Sequence, residues 1–434
     1  MNRYVLLLIG AGFSQLAAAA NLSDTFHTAQ ASDPAYASAQ ASYRAGIEKL
    51  PQARAGLLPQ ISASASAIHN NTDSSAFGKL DYTTKNAAIQ LLQPIYRKQS
   101  YAQYAQAQQQ VSAAEAQLSS ADQDLVLRVA QAYFDVLQSQ DALRFVQAQQ
   151  AAISEQLAQA KRSFEVGSAT ITDSNEAQAR ADLANAQEIA ALNDLDLKRR
   201  ALARIVGSSP GSLAVLGNTL QPVAPAPANL DAWIARAEAD SPQLKAQRAA
   251  FNVAQLEIER NRAGHYPTLD AVASYNDARD QNFGNFQVNN KTAQIGLQFN
   301  LPLYQGGLVN SRVREAVANQ DKARADLEDT RRQIDLSTSQ AYLGVTSGAA
   351  QIKALEQALV SSQTSLNSSK LGLEVGVRTT LDVLNAQQQL YATQRDLAAA
   401  RYAYLLSGLR LKAAAGNLGE TDLAEIDRYL IPAK

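Results

Sequence analysis

The chain has no cysteine, one methionine, one tryptophan and three histidines among its 434 residues. Without cysteine it cannot build a disulfide framework, provide a thiolate nucleophile or carry a lipid attached through cysteine. The histidines, His27, His69 and His265, lie too far apart in the sequence to indicate a histidine-based metal site. A net charge of -1 lacks the positive field that binding to nucleic acid requires. We therefore expect no bound metal or cofactor and no nucleic-acid partner.

Charged and aromatic side chains are also scarce. Charged residues make up 18% of the chain, whereas an average globular protein has about 25%. Alanine and glutamine take their place, and this composition favours long helices that pack through small side chains. No P-loop pattern is present, because Gly306-Gly307 lacks the lysine and the hydroxyl residue that such a loop needs. The sequence predicts a largely helical protein that is not an enzyme.

The first 20 residues have the pattern of a secretory signal peptide. Arg3 provides a positive charge, an apolar stretch follows it, and Ala18 and Ala20 form an A-x-A cleavage site. After this segment no run of about 18 apolar residues occurs, so the sequence predicts no membrane-spanning helix. We expect a signal peptide at residues 1–20 and an exported mature chain that begins near Asn21. Any later contact with a membrane interior would then have to be made by strands.

The rest of the sequence is an internal duplication. The segment QPIY at 93–96 recurs as LPLY at 301–304, 208 positions later, and Val166-Gly167 recurs as Val375-Gly376 at a separation of 209. A stretch rich in proline and alanine joins the two halves. The predicted division is a first structural repeat at 21–220, a linker at 221–229 and a second structural repeat at 230–434.

Each repeat contains a pair of strands. Apolar and polar residues alternate from Ala293 to Leu301 and from Ile61 to Ala67, a period of two that is typical of strands. The strands are predicted at about 60–93 and 267–301. The polar segments at 70–81 and 277–290 are predicted to be the loops that join each pair.

Helices are predicted on both sides of each strand pair. Asp33 caps a helix that Pro34 opens and that ends near Ala55. After the strands, apolar residues recur every seven positions, for example at Val129 and Val136, which is typical of helices that wind around neighbours. The helical hairpins are predicted at about 97–164 with 170–206, and at about 306–373 with 379–415.

Four strands are too few to close a barrel in a membrane. Single-chain bacterial barrels begin at about eight strands, and an open sheet edge in lipid would leave backbone groups unpaired. If the strands cross an outer membrane, several copies of the chain must therefore pool them. The same alternation also fits the sheet of a soluble protein.

Several segments in both repeats resemble the TolC-type outer-membrane channel proteins. They are FEVGSATITD at 164–173, LPLYQGGLVNS at 301–311, EVGVRTTLDVLNAQ at 374–387 and ARYAYLLSGLRLKAAAG at 400–416. The resemblance covers essentially the whole mature chain, including its duplication. It implies a mainly α fold with a membrane β part. In that fold a homotrimer forms a twelve-stranded β-barrel in the outer membrane, which an α-helical coiled-coil barrel continues across the periplasm.

The function implied by this resemblance is that of an exit duct in the outer membrane of a Gram-negative bacterium. Such a duct is surrounded by outer-membrane lipid and works with a periplasmic adaptor (membrane fusion) protein. Its energised partner is an inner-membrane efflux pump or an ABC secretion ATPase, so that it serves multidrug efflux or type I protein secretion. The alternative is a soluble periplasmic coiled-coil adaptor, which should show one helical hairpin between β-rich halves rather than a duplication.

The tips of the two helical hairpins share one sequence pattern. Thr170 and Asp173 form a T-x-x-D motif at the start of the first return helix, and Thr379 and Asp382 repeat it in the second. This motif predicts a capping box in both places.

The resemblance adds functional roles at these tips. It implies that Asp382 lines a periplasmic constriction, and that Arg378 is tied to Thr172 and Asp173 on a neighbouring hairpin and so keeps the constriction closed. The tip turns, at Gly167 and Gly376, would contact the adaptor. Two positions depart from the family pattern, because Asn385 stands where some members have a second constriction acid and Leu373 where some have a tyrosine. We therefore expect a weaker acidic ring and a less firmly closed state.

Overall fold

The computed structural model describes residues 19–76, 78–168, 170–217, 220–283 and 286–432. The predicted signal peptide lies outside these ranges except for Ala19 and Ala20. The helices are α1 (Leu22–Ser32), α2 (Pro34–Ile47), α3 (Lys49–Ala55), α4 (Lys98–Glu165), α5 (Ile171–Val206), α6 (Leu230–Asp240), α7 (Pro242–Arg262), α8 (Leu308–Glu374), α9 (Thr380–Ala414) and α10 (Glu420–Asp427). The strands are β1 (Gln60–Ser74), β2 (Gly78–Tyr96), β3 (Val215–Leu216), β4 (Thr268–Phe283), β5 (Phe286–Asn300) and β6 (Leu430–Ile431).

The chain forms two compact units, and each unit contains residues from both sequence repeats. Among the described residues, one unit comprises those within 19–38, 120–241 and 333–432. The other comprises Ala39–Ser119 and Pro242–Arg332. The first unit holds the helical hairpin tips, and the second holds the four long strands. Within the described ranges, no helix combines the length and the apolar character needed to cross a membrane.

The heptad pattern corresponds to buried positions in the first unit. Val129 and Val136, seven residues apart on α4, are both fully buried. Tyr133 lies between them and is also fully buried, and its hydroxyl donates a hydrogen bond of 2.8 Å to the carbonyl oxygen of Ala214. The long helix α4 has 68 residues and begins and ends one position later than predicted. The mainly helical fold with paired strands that the sequence indicated is therefore confirmed.

The predicted helix from Asp33 to Ala55 is divided into two. The Asp33 side chain accepts a hydrogen bond of 3.1 Å from the Tyr36 amide, as a helix cap should, but α2 ends at Ile47 and α3 begins two residues later. Pro51 explains the interruption because it has no backbone N–H to donate to the carbonyl of Ile47, four residues earlier.

The second unit contains an antiparallel sheet with the strand order β1-β2-β4-β5. The predicted loops at 70–81 and 277–290 are wrong, because the strands continue to Ser74 and Phe283 and resume at Gly78 and Phe286. Backbone pairing does not need apolar side chains. Polar side chains also form hydrogen bonds across the strands. The side-chain amide of Asn70, for example, donates a hydrogen bond of 3.2 Å to Thr84 Oγ1. The hairpins are therefore longer than hydrophobic alternation indicates.

Candidate functional site

The two helical hairpins turn in the same way at their tips. At the first, Gly167 has a φ of 75°, its N–H donates to the carbonyl of Phe164 at 3.0 Å, and the Ser168 N–H donates to Ser163 at 2.8 Å. At the second, Gly376 has a φ of 78° and the N–H of Val377 donates to Gly372 at 2.9 Å. These are the bonds of a Schellman motif, whose left-handed residue is usually glycine. The predicted turns at Gly167 and Gly376 therefore have the same backbone conformation and the same hydrogen-bonding pattern.

A capping box follows each turn, as the T-x-x-D motif predicts. The Asp382 N–H donates to Thr379 Oγ1 at 3.2 Å, and Asp382 Oδ2 accepts from the Thr379 N–H and hydroxyl, both at 2.9 Å. In the first hairpin Asp173 makes the same contacts with Thr170, at 3.2, 3.0 and 2.8 Å. Both carboxylates thus satisfy backbone donors at a helix start.

Hydrogen bonding holds Asp382 in its charged form. The backbone N–H of Thr379, followed by its hydroxyl and then by the charge of Arg378, lowers the pKa of the Asp382 carboxyl below 3.8. A carboxyl whose pKa is lowered by folding stabilises the folded state above its ordinary pKa, and this contribution is lost as the pH falls through the lowered value. The negative charge at this tip therefore persists throughout the neutral and mildly acidic range.

Arg378 lies beside Asp382 at the second tip. Its Nη1 is 3.6 Å from Asp382 Oδ1, and the two side chains are 59% and 36% exposed. A pair this exposed contributes little to folding stability. Gly372 provides room for the arginine, because a Cβ added at Gly372 would be 2.5 Å from the Cγ of Arg378. The corresponding residue of the first hairpin is Ser163. The glycine that leaves space for an arginine side chain is therefore a feature of the second hairpin and not of the first.

The other predicted site residues lie close to the same tips. Thr172 is exposed, and Asp173 is held by its capping box. Arg378 and Asp173 form no ion pair within the described part of the chain. Asn385 accepts a hydrogen bond of 3.1 Å from Arg180 on α5, which also donates to Gln388 at 2.8 Å. Sequence reasoning missed this link between α5 and α9, because nothing in the sequence couples residues about 205 positions apart.

Leu373 packs into the apolar interior of the second hairpin. It lies against the cluster formed by Leu366, Val383 and Leu390. A leucine has no hydroxyl to donate, so this position cannot add a hydrogen bond to a closed tip. The expectation of fewer polar links at this site remains a prediction.

The four long strands present a second candidate surface. One face of the sheet carries the odd-numbered residues Ile61, Ala63, Ala65, Ala67, Ala87, Ile89, Leu91, Leu269, Ala271, Ala273, Tyr275, Ala293, Ile295, Leu297 and Phe299. The strand pairing brings these side chains together, and Ile295 and Leu297 are 90% and 70% exposed. The even-numbered residues of the opposite face include Ser66, Gln294 and Gln298. The sheet is therefore apolar on one side and mostly polar on the other.

Charged residues mark one border of the apolar face. Lys85 lies opposite Arg279, and Asp277 lies opposite Lys291, all on the same face as the apolar residues. Arg279 donates to both carboxylate oxygens of Asp277, at 3.2 and 2.8 Å. Along β5 and the residue that follows it, every second residue from Ala293 to Leu301 is apolar, a span of 9 residues that matches the 9–11 residues of a membrane-crossing strand. Among the described residues, no group of three or more acidic or histidine side chains is placed to hold a metal ion.

The chain is similar to known proteins over nearly its whole length. The family model described as outer membrane efflux protein matches residues 25–208 and 233–417. The chain is 33% identical to outer membrane protein TolC of Escherichia coli, over 99% of this chain and 90% of that protein. It is also 33% identical to alkaline protease secretion protein AprF of Pseudomonas aeruginosa, over 98% and 90%.

The fold has solved counterparts. The outer membrane protein VceC of Vibrio cholerae superposes with a TM-score of 0.79 at 22% identity, over 91% of this chain and 96% of that chain. The comparisons support the channel interpretation and not the soluble adaptor, whose single hairpin between β-rich halves is not the arrangement found. With the family model matching both halves of the sequence, the chain belongs to the outer membrane efflux protein family.

Proposed function

We propose that the protein is the outer-membrane exit duct of an export system that spans the outer membrane and the periplasm. The observation that carries this proposal is the four-stranded sheet, with one continuous apolar face and two open edges at β1 and β5. In lipid an unpaired strand edge is costly, and four strands are half of the smallest single-chain barrel. Three copies would supply twelve strands, close the barrel and turn the apolar face to outer-membrane lipid.

The helical hairpin tips are the proposed periplasmic end of the duct. Their Schellman turns at Gly167 and Gly376 present a repeated backbone shape that suits contact with a periplasmic adaptor. The energised partner would be an inner-membrane efflux pump or an ABC secretion ATPase. Among the relatives, AprF is named for alkaline protease secretion and PrtF of Dickeya chrysanthemi for secretion of proteases. The duct itself would have no catalytic role.

The proposed aperture uses the residues at the tips. In a trimer, Arg378 of one copy would reach Thr172 and Asp173 on the neighbouring hairpin, and three copies of Asp382 would form a negative ring. The exposure of Arg378 supports this assignment, because an exposed side chain can leave the carboxylate of Asp382 and contact that of Asp173 on the neighbouring copy. Asn385 contributes an amide where a second acid would have strengthened the ring.

The proposal is tested by following the protein in its own cell. It should fractionate with the outer membrane and migrate as a detergent-resistant trimer unless the sample is heated. Deletion of its gene should trap cargo inside the cell, seen as drug accumulation or as a retained secreted protein. A chain that stays in the soluble fraction as a monomer would contradict the proposal.

Asp382→Asn should weaken the block of single-channel current by a trivalent cation added to the periplasmic side, because three negative charges leave the constriction. Wild-type block should stay constant between pH 5 and 8, since the carboxyl remains ionised there. Planar-bilayer recordings measure both effects. Thr379→Ala is the matched control, because it removes the hydroxyl from the same capping box and leaves the Asp382 carboxylate in place. Equal effects of the two variants would mean that capping, rather than a charged ring, explains the result.

A further inference from the structure

A groove in the first unit is lined by basic side chains from three helices. Arg128 of α4, Lys198 and Arg204 of α5 and Arg410 of α9 all border it, and we call these four residues the basic cluster. The groove has a volume of about 410 Å³, within the range of about 300–1,000 Å³ that is usual for ligand sites. Among the described residues that border it, Asp135 alone carries a negative charge. The groove is therefore a candidate site for an anionic ligand.

Two members of the basic cluster have acidic partners. Arg128 lies between two carboxylates, with its Nη2 2.7 Å from Asp33 Oδ2 and its Nε 2.7 Å from Asp124 Oδ2. Lys198 Nζ is 3.2 Å from Asp135 Oδ2. The charges of these two side chains are therefore balanced within the chain.

The other two members, Arg204 and Arg410, have no acidic partner among the described residues. Arg410 donates a hydrogen bond of 3.0 Å to Gln131 Oε1, which belongs to a neutral amide. Arg204 forms neither an ion pair nor a side-chain hydrogen bond with any described residue, and both arginines are exposed. Since a guanidinium group has five N–H donors, most of the donors of both side chains are available to a ligand.

This positive charge is not a legacy of the duplication. The equivalent positions of the other repeat, 209 residues away, all carry small uncharged residues: Ser407 for Lys198, Ala413 for Arg204 and Ala201 for Arg410. The helical hairpin therefore folds in the other repeat without these charges. Their presence at one groove calls for a separate explanation.

Stabilisation of helix ends explains only one of the two unpartnered arginines. Arg204 lies in the last turn of α5, where the helix dipole favours a cation. In α9 the last turn already contains Lys412, and Arg410 precedes that turn. The convergence of both arginines on one groove is therefore not accounted for by the helix dipole.

The groove opens on the side of α4 that faces away from β3. Tyr133 of α4 donates its hydroxyl hydrogen to Ala214, the residue that precedes β3. Because successive helical residues are turned by about 100°, Gln131 and Asp135, two positions before and after Tyr133, lie on the opposite face of α4. If the face covered by β3 turned inward in the proposed duct, three copies of the covering segment would occupy the passage. The covered face therefore turns outward, and the groove turns towards the passage.

We propose that the basic cluster lines the passage and binds carboxylate groups of an acidic, extended polypeptide in transit. This proposal rests on the proposed function, and it specifies the chemistry of one cargo. Arginine holds a carboxylate through two parallel N–H donors, and three copies would each present Arg204 and Arg410. A segment with several carboxylates binds several of these arginines at once, which strengthens its attachment, whereas a small molecule with one charge binds only one.

Block of the channel by poly-L-glutamate tests the proposal. In planar bilayers the peptide, added on the side opposite to the hairpin tips, should block single-channel current, and more strongly at low ionic strength. This side is chosen because Arg204 lies 33 residues from Ile171, at the end of α5 remote from the tip, a distance of roughly 50 Å along a helix. Arg204→Gln with Arg410→Gln should raise the half-blocking concentration by roughly tenfold, because charge-assisted bonds to carboxylate are lost.

Two control variants separate charge in the groove from other effects. Arg204→Lys with Arg410→Lys keeps both charges and should retain most of the block. Arg199→Gln with Arg332→Gln removes the same charge from exposed residues that do not border the groove, and should leave the block unchanged.

Several results would overturn the proposal. One is equal block of the wild type and of the variant with both glutamines. Another is a lower temperature of trimer dissociation in that variant with unchanged block, which would assign the arginines to helix ends or to contacts between copies. Block by inorganic polyphosphate but not by poly-L-glutamate would overturn the assignment to carboxylates. A wild-type protein that forms neither trimers nor channels would instead contradict the proposed function.

Discussion

Leu297→Arg is expected to abolish most trimer assembly in the outer membrane. Leu297 is 70% exposed and lies between Ile295 and Phe299 on the apolar face. Arginine on the lipid-facing side of a barrel costs about 2–4 kcal/mol near the middle of the membrane, and each trimer would carry three. The yield of detergent-resistant trimer from membrane fractions measures the loss.

Gln298→Arg is the matched control for this prediction. It places the same side chain one residue later, where the alternation of the strand turns it to the polar face. We expect near-normal trimer yield from this variant. Equal loss from both variants would mean that arginine disturbs β5 itself, and normal yield from Leu297→Arg would mean that lipid does not cover the apolar face.

Arg378→Ser is expected to raise single-channel conductance, or antibiotic leakage into cells, without lowering the stability of the trimer. An exposed ion pair contributes little to folding, so losing it should leave assembly intact. Three such links acting together could still shift a nearly balanced equilibrium between closed and open states by about an order of magnitude. Planar-bilayer recording and heat dissociation of the trimer separate the two effects.

The control for this prediction is Arg332→Ser. Arg332 forms an exposed pair with Glu328 at 2.9 Å, it precedes Gly376 by 44 residues in the sequence, and its loss removes the same charge. Gly372→Ala should produce a smaller increase than Arg378→Ser, because the added methyl group displaces the arginine stem that lies over it. Wild-type conductance in both tip variants would mean that the capping boxes alone hold the tips and that the gate lies elsewhere.

Local patterns in the sequence predicted the hairpin tips well. The T-x-x-D motifs specify their capping boxes through residues three positions apart, so no knowledge of the tertiary structure was needed. The helix divided at Pro51 shows the limit of local patterns, because the capping signal at Asp33 marks where a helix begins and does not reveal that the missing N–H of Pro51 interrupts it. The extended hairpins were missed because polar strands follow no hydrophobic period.

Other features depend on contacts that no short pattern encodes. The hydrogen bonds from Arg180 to Asn385 and Gln388 join residues more than 200 positions apart. Gly372 could have been found, since it replaces Ser163 of the first repeat at the point where Arg378 folds back. Departures from internal symmetry are thus informative in a duplicated chain, because each marks a place where the two halves have different tasks.

The hairpins of the sheet extend well beyond its apolar face. A strand crosses a membrane in about 9–11 residues, whereas β2 has 19, and on the apolar face of the sheet its apolar residues stop at Ala87. From Gly78 to Asn86 the proposed duct would stand above the cell surface as an ordered ribbon that bears Lys79, Asp81 and Lys85. An antibody approaching the living cell would therefore meet charges held at fixed spacings by backbone pairing. Its epitope would be a shape assembled from neighbouring strands, which a linear peptide of the same sequence does not reproduce.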